Sequence, residues 1–169
     1  YTAGPIIHNK QVICELERRG AHAAASCGEV ADGSRVVIRA HGLPTADIEA
    51  FRAKGCRLID ATCPNVAQIH RIVERESAAG RRVLIIGKHG HPEVQAIAAR
   101  AGEGVLIVET ERELSDACEK LSEVPIAVVV QTTFQRKIYD QFVNKLKNTC
   151  NDPLFFDTIC KATDERQSE

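Results

Sequence analysis

The sequence predicts an α/β fold of parallel sheets flanked by helices. Three observations carry this. Short apolar runs alternate with amphipathic stretches along the chain. The runs VLIIG and IAVVVQ lack polar alternation, which fits strands buried on both faces. Most amphipathic stretches open near a proline or close at a glycine, the usual helix punctuation.

Taken in order, GPIIHN opens with a strand at 4–7. NKQVICELERRG is a helix with Val12, Ile13 and Leu16 on one face and Gly20 as its stop. A weak strand at 21–25 and a stronger one at 35–39 follow. PTADIEAFRAKG is a helix carrying Ile48 and Phe51, ended by Gly55. After a strand at 57–61, PNVAQIHRIVERESAAG turns Val66, Ile69, Ile72 and Val73 to one side and stops at Gly80. A strand at 81–87 leads to the helix PEVQAIAARAG, with Val94, Ile97 and Ala98 inward and Gly102 as its end. Strands at 105–109 and 126–131 alternate with the helices ERELSDACEKL and QRKIYDQFVNKLKN. NDP at 151–153 is a turn, beyond which the chain is expected to enter another unit.

Composition narrows the function classes. The 169 residues suit one ordinary domain or two small ones, and 44% hydrophobic content can fill a core. With 22 Lys+Arg against 23 Asp+Glu and few aromatics, nothing marks a nucleic-acid surface. The apolar runs are too short to span a bilayer, and no signal-peptide pattern opens the chain. The seven cysteines lack paired CxxC spacing, so reduced thiols in a cytoplasmic protein are expected. The chain has no methionine and starts at Tyr1, so it reads as a piece of a longer protein.

Polar residues cluster at the strand exits, where open parallel sheets bind their ligands. His8 follows the first strand, and His41 follows VVIRA. Cys63 stands in IDATCPN, His91 and Glu93 in GKHGHPEV, and Thr132 and Thr133 after IAVVVQ. Cys63 precedes Pro64 at a helix mouth, where outward amide N–H groups favour an anion, a thiolate included. Read blandly, it is a small plug at a strand–helix corner. His8, His41 and His91 recur at equivalent exits beside Gly or Asn, which points to a shared ligand. Glu93 beside His91 suits proton relay or simply a helix N-terminus. Thr132 and Thr133 suit the site or a helix cap. Lys88 and His89 rank second, and His22 and His70 read as structural or solvated. Cys14, Cys27, Cys56, Cys118 and Cys150 read as structural or incidental. Cys160 differs, since FFDTIC repeats the strand-to-helix exit of Cys63. Two thiolates do not complete a structural zinc or iron–sulfur site. The residues alone leave open a metalloenzyme, a cluster-free anion-binding module, and a thiol redox or zinc protein.

Six motifs in one order narrow this further. They are HN at 8–9, AHG at 40–42, DATCP at 60–64, GHPE at 90–93, QTT at 131–133 and C-x-A-T-x-x-R-Q at 160–167. The set resembles the 4-hydroxy-3-methylbut-2-enyl diphosphate reductase family of isoprenoid-precursor synthesis. The resemblance implies three α/β units around a central 4Fe-4S cluster, with one cysteine from each. Residues 1–62 would be the first unit without its start, 63–156 the second, and 157–169 the opening of the third. Cys63 and Cys160 match two cluster ligands, and the third lies outside this chain. One iron would stay open for the substrate hydroxyl. His8 and His41 match diphosphate-holding residues, and His91 a ligand contact. Glu93 and Thr132 match the pair that delivers protons and orients the hydroxyl; Thr132 thereby also touches substrate. The implied reaction is reductive dehydroxylation of the allylic diphosphate to isopentenyl and dimethylallyl diphosphate, with ferredoxin or flavodoxin as electron donor. The family's Ser-x-Asn diphosphate clamp is absent from these residues, so this piece alone is expected to be inactive.

Overall fold

The computed structural model describes residues 1–6 and 10–168. They form two compact units, Tyr1–Ala67 and Gln68–Glu169. The first contains β1 (Thr2–Ala3), α1 (Lys10–Arg18), β2 (Ala23–Ala24), β3 (Arg35–Ile38), α2 (Thr45–Ala53) and β4 (Arg57–Asp60). All pairs in its sheet are parallel, in the order β2-β1-β3-β4. Its core is small: Ala3, Ala24, Val30, Val36, Ile38, Leu43, Cys56 and Phe51 of α2.

One strand is displaced from its expected place. The strand expected at 4–7 is found at Thr2 and Ala3, ahead of Gly4; Ile7 lies outside the described residues. Gly4 ends the strand at φ +74, and a Cβ there would lie 2.6 Å from Arg39 Nη1. Pro5 follows with no N–H to give the ladder. His8 lies outside the described residues.

The second unit takes in most of α3 (Pro64–Ala78), which starts in the first. It contains β5 (Arg82–Ile86), α4 (Pro92–Ala98), β6 (Leu106–Val108), α5 (Glu111–Leu121), β7 (Ile126–Val130), α6 (Arg136–Thr149), β8 (Pro153–Phe156) and α7 (Lys161–Ser168). This sheet is also parallel, in the order β6-β5-β7-β8. The apolar run before Cys160 is β8, paired to β7 from Ile126↔Pro153 to Val129↔Phe156. Its proline occupies the first strand position, where the ladder tolerates it.

The two-residue period of a strand sorts the core into two layers. Leu84, Ile86, Val128 and Val130 pack with Leu114, Leu121, Phe142 and Leu146 of α5 and α6. Val83, Ile85 and Val129 pack with Ile69, Val73, Val94 and Ile97 of α3 and α4. Leu84, Ile85, Ile86, Val128, Val129 and Val130 are all 0% exposed, each worth about 1.5–3 kcal/mol of burial. Helices on both faces explain why these runs carry no polar alternation.

Both units repeat one topology. A first strand goes down, the second is added on one side, and the chain then crosses to the other side for the third and fourth. Connections leaving the first and third strands therefore diverge, and a crevice opens between their carboxyl ends. In the second unit this switch point lies between β5 and β7.

Candidate functional site

At the β5–β7 switch point a buried carboxylate meets a threonine. His91 caps α4: its Nδ1 accepts the Glu93 N–H at 3.2 Å, leaving the imidazole proton for Nε2. Pro92 fixes the first helical residue. The cap turns Glu93 inward, where it is 2% exposed, opposite the end of β7. Glu93 Oε1 accepts the Thr132 N–H at 2.7 Å, and Oε2 accepts the Thr132 hydroxyl at 2.7 Å. Burial pushes the Glu93 carboxyl above its ordinary range, against the pull of the two Thr132 hydrogen bonds. A carboxyl so balanced can hold or yield a proton through a hydroxyl that both donates and accepts.

The exit of β8 joins the same site. Thr158 Oγ1 accepts the Val130 N–H at 3.0 Å and donates back to the Val130 carbonyl. The Cys160 N–H then donates to the Thr132 carbonyl at 2.9 Å, and the Cys160 carbonyl accepts the Thr163 N–H as α7 begins. His91, Glu93, Thr132 and Cys160 are thus joined by one run of hydrogen bonds within the second unit.

In the first unit, the turn that carries His41 is tied to Cys63 through Ala40. Gly42, at φ +75, closes the turn after β3 by donating to the Arg39 carbonyl at 2.9 Å. The Cys63 N–H donates to the Ala40 carbonyl at 2.9 Å. Asp60 Oδ1 accepts both the N–H and the hydroxyl of Thr62, bending the chain out of β4. The Cys63 carbonyl takes the Ala67 N–H, so Cys63 stands at the mouth of α3. Cys63 and Cys160 hold equivalent places: each follows the last strand of its sheet and precedes a helix. Both are partly exposed.

Sequence reasoning missed two supports. Gln131 is 5% exposed; its Oε1 accepts the Lys88 N–H at 2.9 Å and its Nε2 donates to Thr133 Oγ1 at 2.8 Å. It ties the β5 exit to the β7 exit, and its signal was the polar residue ending an apolar run. Gly87 lets them close, since a Cβ there would lie 2.8 Å from Val94 Cγ2 and 3.0 Å from Gln131 Cβ. His89 is engaged with α5 through Glu113, at 3.2 Å. His70 is buried in α3 and His22 is exposed. Among the described residues, no three His, Cys, Asp or Glu side chains group to hold a metal ion. No helix among them is long and apolar enough to cross a membrane.

Two doubly wound parallel sheets, each with a cysteine after its last strand and polar residues at its switch point, define an α/β protein with ligand chemistry at its strand ends. Within that class, the chain belongs to the LytB protein family, whose model matches residues 1–169. It is 37% identical over 169 residues to the 4-hydroxy-3-methylbut-2-enyl diphosphate reductase of Oleidesulfovibrio alaskensis, covering 99% of this chain and 60% of that protein. The Aquifex aeolicus reductase of the same name is 36% identical over 171 residues, covering 99% and 57%. A solved structure of (E)-4-hydroxy-3-methyl-but-2-enyl diphosphate reductase, described as the terminal enzyme of the non-mevalonate pathway, superposes at TM-score 0.88 with 33% identity, covering 99% of this chain and 59% of that one. The E-1-hydroxy-2-methyl-but-2-enyl-4-diphosphate reductase from Plasmodium falciparum superposes at 0.92 with 30% identity, covering 99% and 53%. The chain spans about three fifths of the length of the two bacterial relatives.

Proposed function

We propose that the complete protein carrying this chain is a 4-hydroxy-3-methylbut-2-enyl diphosphate reductase. It would convert that substrate to isopentenyl and dimethylallyl diphosphate by reductive removal of the hydroxyl as water. The observation that carries the reading is the buried Glu93–Thr132 pair at the second switch point. Dehydroxylation needs a proton delivered to a poor leaving group away from bulk water. Glu93 holds that proton, and Thr132 passes it on and orients the substrate hydroxyl. His91 fixes Glu93 through the helix cap and would contact the ligand in the same site. His41, at the switch-point exit of the first sheet, and His8 bind the diphosphate, a dense anion suited to such donors.

The residues present fit a 4Fe-4S cluster. Cys63 and Cys160 are partly exposed thiols, each just before a helix, and thiolates are the usual ligands of such clusters. They would supply two ligands, one from each sheet, and a third thiolate would come from elsewhere in the complete protein. Residues 157–169 would lead into a third unit. When bound, the cluster supplies low-potential electrons and a Lewis-acidic iron, recharged by a ferredoxin or flavodoxin.

The test is iron and acid-labile sulfide after anaerobic reconstitution of the complete protein, with Cys63→Ala and Cys160→Ala alongside. The parent should hold a cubane and both variants should lose most of their iron. Full iron retention in both variants would remove these cysteines as ligands and leave an anion-binding α/β protein.

A further inference from the structure

Two cysteines outside this site are brought together by the fold. Cys118 lies on α5, 7% exposed, within the apolar layer beneath the second sheet. Cys150 packs against the same layer. One hydroxyl touches both sulfurs. Thr149 Oγ1 donates to Cys118 Sγ at 3.2 Å and lies 3.9 Å from Cys150 Sγ. A buried thiol and a half-buried one used only as apolar filler would need neither contact. Thr149 is exposed and Cys150 is half-buried, so the pair has one side toward water. Cys150 caps α6 with extended backbone, φ −106 and ψ 150, outside the helical rotamer restrictions that bind Cys118. The less constrained, more exposed sulfur is therefore the one able to swing.

We propose that Cys118 and Cys150 form a hydroperoxide-sensitive dithiol that closes to an intramolecular disulfide between α5 and the end of α6. The Cys150 thiolate attacks one peroxide oxygen. The O–O bond breaks, leaving a sulfenic acid on Cys150 and releasing one water once the leaving hydroxide takes a proton. The Cys118 sulfur then attacks the Cys150 sulfur, the S–O bond breaks, and a second water leaves with the Cys118 proton. Two thiols are oxidised and one hydrogen peroxide is reduced to two waters. Burial and the neighbouring thiol hold the Cys150 pKa up, so closure quickens about tenfold per pH unit until that thiol ionises. Cys118, shielded from bulk oxidant yet beside Cys150, is the resolving partner. None of this depends on the reductase reading.

The experiment treats the reduced complete protein with stoichiometric hydrogen peroxide at pH 7 and pH 8, alkylates the remaining thiols, and maps the cysteines by mass spectrometry. The expected product is a linked Cys118–Cys150 peptide pair, two hydrogens lighter than the thiols and reversed by dithiothreitol. It should form faster at pH 8. Cys118→Ala should instead leave a Cys150 sulfenic acid that dimedone traps. The proposal is overturned if both thiols in the native sequence still alkylate fully after peroxide. It is equally overturned if Cys150 joins another cysteine or runs on to sulfinate. The overturning outcomes are read in the native sequence, so they hold whether or not the variant folds.

Discussion

Thr132→Val removes one hydroxyl from the site and keeps the β-branched shape. The Thr132 N–H still reaches Glu93 Oε1 at 2.7 Å, while the 2.7 Å bond from the hydroxyl to Oε2 is lost. A methyl replaces the hydroxyl, so no cavity opens and the loss is the hydrogen bond itself. With Glu93 2% and Thr132 6% exposed, water does not replace it. A bond to a neutral carboxyl is worth about 0.5–1.5 kcal/mol and one to a carboxylate about 1.5–3 kcal/mol. The cost therefore depends on pH, with a definite sign. Burial already raises the Glu93 pKa, and the Thr132 hydroxyl is one of the groups lowering it. Removing the hydroxyl raises it further. An acid raised in the folded state keeps its proton where the unfolded chain has released it. Stability then falls as pH climbs from the ordinary value of 4.5 to the folded pKa. The variant should lose about 0.5–1.5 kcal/mol in acid and about 1.5–3 kcal/mol once Glu93 is ionised. Urea unfolding followed by far-UV circular dichroism, repeated over a series of pH values from acid to alkaline, measures both, and suits a chain with no Trp. Glu93→Gln, which cannot ionise, supplies the other arm of a double-mutant cycle. In that background the cost should be the same throughout the series. A cost that stays constant across the whole series in the native background would refute the assignment of that hydroxyl to an ionisable carboxyl.

Two further perturbations probe the supports. Gly87→Ala puts a methyl 2.8 Å from Val94 Cγ2 and 3.0 Å from Gln131 Cβ, both buried, and should cost about 1–3 kcal/mol in the same unfolding measurement; a cost within ~0.5 kcal/mol would mean the exits of β5 and β7 have slack. Thr110→Ala removes the side chain that accepts the Glu113 N–H and leaves Glu113 still bonded to the Glu109 and Thr110 amides. The loss should be about 1 kcal/mol with activity of the complete protein unchanged, and a fall in turnover would show that the start of α5 reaches the site.

How far the sequence speaks depends on whether the deciding interaction is local. β5 and β7 were legible because a strand buried on both faces must be apolar throughout, and Val83–Ile86 and Ile126–Val130 are. The start of α4 was legible from Pro92, though not the cap that His91 makes there. β1 was misplaced because PIIH looks more strand-like than Thr2–Ala3; pairing with Ala23 and Val37, far along the chain, decided otherwise. Glu93 and Thr132 were each visible at a strand exit, but their contact spans 39 residues and depends on strand order. No local pattern encodes that order. Cys118 and Cys150 show the same limit: one lies inside α5 and the other at the end of α6, and only the packing of α5 on α6 makes them neighbours.

The inner strands of the second sheet also fix where this chain can breathe. Amide hydrogens on β5 and β7, beneath side chains with no exposed surface, exchange with deuterated water only when that sheet comes apart as a whole. β1 and β2 are two residues long, so their amides exchange through the opening of a single pair. Glu93 and Thr132 hang from the slow half, and the His41 turn abuts the fast one. A ligand that orders the first sheet would register as slowed exchange there, while β5 and β7 have almost no motion left to lose.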